Sequence, residues 1–173
     1  DNLRNSGSGK RPVCASTITQ QVAKNFLLSN EISYERKIKE ALLALRIEQA
    51  YSKDKIFELY LNEIYLGLGS YGIAAAALNY FDKPVNQLTI AEAAYLAALP
   101  KAPENYNPFR HQERAVERRN WVIDRMVENG YIRATDAEAA KATSIEVTVR
   151  QRGNYLAGSE FFAEEVRRNL IDM

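Results

Sequence analysis

Apolar residues recur at helical spacing in one segment after another between Ser16 and Ala142, and capping or breaking residues bracket each segment. That period leaves little room for a sheet, because a half-buried strand needs alternation. Thr17 and Gln20 form a capping-box pair at the head of a predicted helix over 16–28, where Ile18, Val22 and Phe26 define a core face. Ser33 is the expected N-cap of a helix over 34–50, with Ile38, Ala41, Leu42 and Leu45 turned inward. Ser52 caps a third helix over 53–64, with Ile56, Leu59 and Tyr60 inward. It runs into the Gly-rich turn Tyr65-Leu66-Gly67-Leu68-Gly69-Ser70-Tyr71-Gly72, which lacks the Lys-Ser/Thr ending of a phosphate loop and follows no strand.

A small-residue helix over 73–81 follows and is broken at Asp82-Lys83-Pro84. Thr89 and Glu92 make a second capping box, opening a helix over 91–99, and Pro100, Pro103 and Pro108 punctuate the extended stretch beyond it. The longest helix is expected over 111–129, ended by Gly130 at C′, with an apolar face of Val116, Val122, Met126 and Val127. Thr135 and Glu138 open a short helix to Ala142. There the period changes: Ile145, Val147 and Val149 alternate with polar residues, predicting a strand over 145–150, and Ser159 caps a helical piece carrying Phe162, Val166 and Leu170. The expected organisation is a flexible lead-in over 1–14, a helical domain over 15–142, and the start of another element over 143–173.

Composition narrows the function classes. A chain of 173 residues with 46% hydrophobic residues can bury the core of one domain, and its net charge of +1 argues against a nucleic-acid binder working by bulk electrostatics. Any anion site must be a local cluster. The one cysteine, Cys14, can form no internal disulfide and reads as a small packed residue. No apolar run approaches the ~20 residues of a membrane span, and Asp1-Asn2-Leu3-Arg4 does not open a signal peptide.

One cluster stands out. Thr17, Gln21 and Lys24 lie a turn apart on one side of the first helix, and Arg36 and Glu40 project together from the second at i, i+4. Taken alone, these are a wet helix face and a surface ion pair worth a few tenths of a kcal/mol. Lys24, Arg36 and Lys37 together would suit a pyrophosphate, since charge-assisted contacts are the strong ones.

Four stretches carry a resemblance. Ser16-Thr17-Ile18-Thr19-Gln20-Gln21 with Ala23-Lys24-Asn25, then Arg36-Lys37-Ile38-Lys39-Glu40, then Lys55-Ile56-Phe57-Glu58-Leu59-Tyr60-Leu61-Asn62, then Arg118-Arg119-Asn120-Trp121-Val122-Ile123-Asp124-Arg125-Met126, resemble the second to fifth motifs of the peptidoglycan glycosyltransferases (glycosyltransferase family 51). These are the glycosyltransferase domains of class A penicillin-binding proteins and their monofunctional relatives. The motifs stand in family order across residues 15–132.

The resemblance implies a mainly α, lysozyme-like helical domain, with a short strand-containing segment at the C-terminus marking the way towards a penicillin-binding transpeptidase domain. It implies polymerisation of lipid II, the undecaprenyl-pyrophosphate-linked disaccharide-pentapeptide, into a growing glycan chain with release of undecaprenyl pyrophosphate. Ser16, Thr17, Gln20, Gln21, Lys24, Asn25, Arg36 and Lys37 become substrate-binding positions on the pyrophosphate side. Glu40 becomes a catalytic position, the second acidic residue of the site, supporting the pyrophosphate side. Tyr60, Asn62, Arg118, Arg119 and Arg125 become structural motif positions. No cofactor is required by the resemblance, although a divalent cation, magnesium or manganese, assists at the pyrophosphate in some members. The family works at the outer, periplasmic face of the bacterial cytoplasmic membrane, which it meets through an N-terminal anchor and a mobile flap. No nucleic acid is involved.

Two departures matter. Cys14-Ala15 stands where the family has Gly-Gly or Gly-Ala before the second motif. The first motif, E-D-x-x-F-x-x-H-x-G, which carries the general-base glutamate, is absent: residues 1–14 contain no Glu and no His, and His111 and Glu160 lie in other contexts. A general base contributes about 10²–10⁴-fold, so the chain by itself is expected to be catalytically incompetent. A lysozyme-like muramidase or lytic transglycosylase would need an acid Glu but no pyrophosphate grip. A non-catalytic helical interaction module would account for the helices but not for four ordered motifs.

Overall fold

A computed structural model describes residues 16–26 and 34–148. The expectations for Cys14, Ser33, Ser159, the lead-in over 1–14 and the helical piece near the C-terminus lie outside those residues, as does the side chain of Phe26.

The helices follow the capping signals closely. They are α1 (Ile18–Phe26), α2 (Tyr34–Ala50), α3 (Lys53–Glu63), α4 (Ile73–Phe81), α5 (Ile90–Ala98), α6 (Gln112–Glu128) and α7 (Ala134–Ala142), with short 3₁₀ turns at Val85–Gln87 and Leu99–Lys101. Ser52 Oγ accepts from the Lys55 amide at 3.2 Å, starting α3. The Thr89 box closes in both directions: the Thr89 amide donates to Glu92 Oε2 at 2.8 Å, and the Glu92 amide to Thr89 Oγ1 at 3.3 Å. At the end of α6 the Gly130 amide reaches Val127 O and the Tyr131 amide reaches Met126 O, a Schellman closure that needs the +74° φ of Gly130. The predicted Thr135 cap is not realised. Arg133 precedes α7 at its N-cap and its side chain pairs with Asp136, leaving Thr135 inside the helix.

The chain divides into two compact units: Asp1–Tyr65 with Tyr71–Ile73, and Leu66–Ser70 with Ala74–Met173. In the first, α1 packs on both α2 and α3. Its core is Val22, Ala23, Ala44, Ile47 and Ile56, with Leu43, Leu59 and Tyr60 against it. Burying a side chain such as Val22 contributes about 1.5–3 kcal/mol. The buried faces differ from those expected. On α1 the face is Thr19, Val22 and Ala23, while Ile18 stays 41% exposed. On α2 the inward residues are Glu40, Ala44 and Ile47, and Ile38, Leu42 and Leu45 face outward at 62%, 57% and 57% exposure. The cause is that α2 is apolar on two sides, so its period does not say which side is covered.

The first unit is closed by Gly72. Its amide donates to Ile64 O at 2.9 Å, its φ is +82°, and a Cβ there would meet Asn62 O at 2.3 Å. Of the fourth-motif residues, Asn62 thus meets Gly72 through its backbone, and Tyr60 packs on the core.

In the second unit, α5, α6 and α7 pack around Ala91, Ala94, Ile123, Ala137 and Ala140. Tyr80, Phe81 and Tyr95 form an aromatic group beside them, anchored by Tyr80 Oη donating to Leu66 O and Tyr95 Oη donating to Tyr106 O. No strand occurs among the described residues. The stretch over 145–148 finds no partner strand and makes one backbone bond, from the Thr148 amide to Tyr80 O at 2.9 Å; Val149 and Arg150 lie outside the described residues.

Candidate functional site

The site is built where the head of α1 meets the first turns of α2. Thr17 Oγ1 accepts from the Gln20 amide at 3.1 Å, and Gln20 Oε1 accepts from the Thr17 amide at 3.0 Å. Two of the four orphan amides of α1 are thereby satisfied, and the positive end of the helix stays close to the surface. Ser16, just before, accepts at Oγ from Lys37 Nζ at 3.1 Å. One bond therefore ties the second motif to the third.

Glu40 anchors the α2 side. It is a buried carboxylate at 1% exposure, with Lys37 Nζ 2.6 Å from Oε2 and Arg36 Nε 3.1 Å from Oε1. The Lys37 contact is a hydrogen-bonded ion pair, whereas the Arg36 Nε contact is Coulombic, without hydrogen-bond alignment. The two cations are more open than the glutamate between them: 18% exposed for Arg36 and 42% for Lys37. Glu40 therefore fixes two cations without presenting its own charge to solvent.

The other expected positions divide by exposure. Gln21 is half-buried; Lys24 and Asn25 are exposed and make no hydrogen bond or ion pair among the described residues. Gln20 spends its carbonyl oxygen on the cap. A link the sequence reading missed joins the same helices: buried Thr19 donates from Oγ1 to Glu48 Oε1 at 2.7 Å. Its residues are 29 positions apart, and no local pattern signals it.

The positions of the fifth motif, in the second unit, have separate tasks. Arg119 is 1% exposed and donates to Thr143 O at 2.6 Å, Lys141 O at 3.0 Å and Asn120 Oδ1 at 2.9 and 3.0 Å. It caps the carbonyl end of α7, where a cation also meets the negative helix terminus. Burial pulls its pKa below the ordinary arginine value. Arg118 lies over the Trp121 ring at 3.9 Å, and Arg125 pairs with Glu128.

No three Asp, Glu, His or Cys side chains converge among the described residues. The one buried acid among the described residues of the site, Glu40, is occupied by Arg36 and Lys37, so the described residues do not form a protein-held divalent-cation site. Among the described residues no helix is long and apolar enough to cross a membrane.

Comparison with known proteins gives consistent matches. A family model described as Transglycosylase matches residues 2–127. Penicillin-binding protein 1A of Rickettsia bellii is 49% identical over 173 residues, which is 99% of this chain and 22% of the relative. Proteins of the same name are 55% identical in Aquifex aeolicus, over 88% of this chain and 20% of the relative, and 59% identical in Neisseria flavescens, over 91% and 20%. The crystal structure of penicillin-binding protein 1A from Haemophilus influenzae aligns with a TM-score of 0.52 at 35% identity, covering 92% of this chain and 21% of that one. The mainly helical, lysozyme-like class expected from the sequence agrees with that likeness. The chain spans about a fifth of the length of the curated relatives it matches.

Proposed function

Because this chain belongs to the transglycosylase family, we propose that it supplies the donor half of a peptidoglycan glycosyltransferase site acting on lipid II. In that reaction the 4-hydroxyl of the acceptor sugar attacks the anomeric carbon of the growing chain. The anomeric C–O bond breaks, its electron pair leaves with undecaprenyl pyrophosphate, and the hydroxyl proton passes to a general base. Thr17, Gln21, Lys24 and Arg36 grip the pyrophosphate and the adjacent sugar, while Ser16, Lys37 and Asn25 complete the rim. Fixed cations meet the negative charge as it develops on the leaving group, which is where preorganised donors lower a barrier most.

The observation that carries this reading is the buried Glu40 holding Arg36 and Lys37, with Lys37 extended to Ser16 at the head of α1. Glu40 acts through those cations and is a positioning residue. Its burial also speaks against a muramidase, whose acid glutamate must reach the scissile oxygen. A divalent cation assisting here would ride on the substrate's phosphates.

The general base of the family's first motif has no counterpart in residues 1–14. In this reading the glycosyltransferase part is 15–142, and 143–173 begins the path to a transpeptidase domain. The working location is the outer face of the bacterial cytoplasmic membrane.

The test is binding of farnesyl pyrophosphate, a soluble lipid-pyrophosphate probe. Lys24→Ala and Arg36→Ala should each weaken it by about tenfold or more, the worth of a hydrogen bond to a charged group. Unchanged affinity in both variants would count against the assignment.

A further inference from the structure

The second unit carries a cation cluster that the donor site does not use. Lys83 holds Glu92, Arg125 holds Glu128, Arg133 holds Asp136, Lys141 holds Asp124 and Glu138, and Arg119 is spent on carbonyls. The cations left in the described part of this unit are Lys101, Arg110, Arg114 and Arg118. None has a carboxylate within ion-pair distance among the described residues. Three of them line one groove of about 350 Å³ together with Tyr106, Glu117 and Trp121. The groove lies along one side of α6, since positions 114, 118 and 121 fall on one helix face.

Its geometry is that of a prepared anion receptor. The Arg118 guanidinium is stacked 3.9 Å from the Trp121 ring centre, which fixes the plane of its donor fork. Its Nε is buried without a hydrogen-bond partner. Glu117 sits in the same lining. A carboxylate there opposes a multiply charged phosphate but would accept from an ammonium or amide of the same ligand. Three cations, one acid and two aromatic rings fit a ligand that carries a carboxylate beside a nitrogen donor.

We propose that this groove binds a carboxylate-bearing peptide, and that the peptide is the stem attached to the lipid-linked disaccharide; the second clause rests on the function proposed above. Besides its pyrophosphate, the anions such a substrate offers are its peptide carboxylates.

Trp121 is the chain's single tryptophan, so its fluorescence reports on the groove alone. The probe is the soluble peptide Ala-Glu-Lys-Ala-Ala with free carboxyls. Titration should give a saturable change in emission, weakened about tenfold by Arg118→Gln and by Arg114→Gln and unaffected by Lys24→Ala. Arg118→Lys, which keeps the charge but loses the fork, should fall between. The same peptide with its carboxyls amidated should bind far more weakly. Absence of saturable change up to millimolar peptide, or equal affinity in Arg118→Gln, overturns the proposal. Displacement by inorganic pyrophosphate at lower concentration than the peptide also overturns it, by making the groove a phosphate site. Farnesyl pyrophosphate affinity unchanged in Lys24→Ala and Arg36→Ala would fail the donor-site reading and leave this titration untouched.

Discussion

Glu40 Oε2 lies 2.6 Å from Lys37 Nζ, and the glutamate making this contact is 1% exposed while the lysine is 42% exposed. The carboxylate is thus a buried strut for a cation that faces outward. Glu40→Gln keeps the shape and removes the charge that holds both Lys37 and Arg36. It should cost about 1–3 kcal/mol of stability, since both cations retain access to water. It should also weaken farnesyl pyrophosphate binding, although Glu40 itself touches no solvent-side ligand. Urea melts and the binding assay measure the two effects; unaltered binding would mean the cations hold their positions without it.

Arg119 and Arg118 are neighbours with opposite fates. Arg119→Met should remove the cap on Lys141 O and Thr143 O and leave those carbonyls and Asn120 in need of partners, costing about 2–4 kcal/mol. Arg119→Lys should recover little, because one ammonium cannot span three acceptors in the plane of a guanidinium. Arg118→Met, by contrast, should stay within about 1 kcal/mol, the scale of an exposed cation–π contact. Thermal denaturation of the three variants would show the order, and a destabilised Arg118→Met equal to Arg119→Met would contradict it.

Gly72→Ala is expected to be the most damaging small substitution in the first unit. The new methyl would sit 2.3 Å from the Asn62 carbonyl oxygen, which is backbone and cannot swing aside. The φ of +82° adds about 1–2 kcal/mol for any L side chain. Denaturant midpoints should therefore fall by more than Gly130→Ala produces, since a Cβ at Gly130 meets nothing within 4 Å.

These residues also show what could be read from the chain before its structure. Ser52, the Thr89–Glu92 pair and Gly130 announce helix ends correctly because a cap is a local bond between residues three to five apart. The i, i+4 spacing announces the Arg36–Glu40 pair for a similar reason, whereas the Ser16–Lys37 bond spans 21 positions and has no local signal. The faces of α2 were not legible, because Ile38, Leu42 and Leu45 repeat as regularly as Ala44 and Ile47 do. Only packing against α1 decides between them, and it chose the side holding a glutamate. The alternation over 145–148 likewise describes one side of a ladder, and a strand needs the other. Arg118 and Arg119 are adjacent letters, and nothing local says which is buried.

The outward face of α2 yields its own expectation. Leu42→Gln should change stability by less than about 0.5 kcal/mol, as surface substitutions do, while Ala44→Gln should cost several-fold more by forcing a polar group into the Val22–Ile47–Ile56 core. Equal losses in the two variants would return the buried face to the one the sequence suggested.

The acid dependence of the second unit should trace in part to Glu92. Burial works against its charge, but the Lys83 ammonium and the amide and hydroxyl of Thr89 outweigh burial, and the carboxyl is held below its ordinary value of 4.5. A carboxyl with a lowered folded value binds fewer protons folded than unfolded. Its contribution is therefore complete above that ordinary value and is lost as pH falls through the folded one. Glu92→Gln removes the contribution at every pH, so the variant should be less stable near neutrality. Between about pH 5 and about pH 3 it should then lose less further stability than the unsubstituted chain. The carboxyls of Glu35, beside Lys39, and Asp136, beside Arg133, are also held below their ordinary values but are common to both proteins, so they cancel in the difference. Parallel stability curves through that interval would show that the Lys83–Glu92–Thr89 arrangement contributes nothing when the carboxyl is charged.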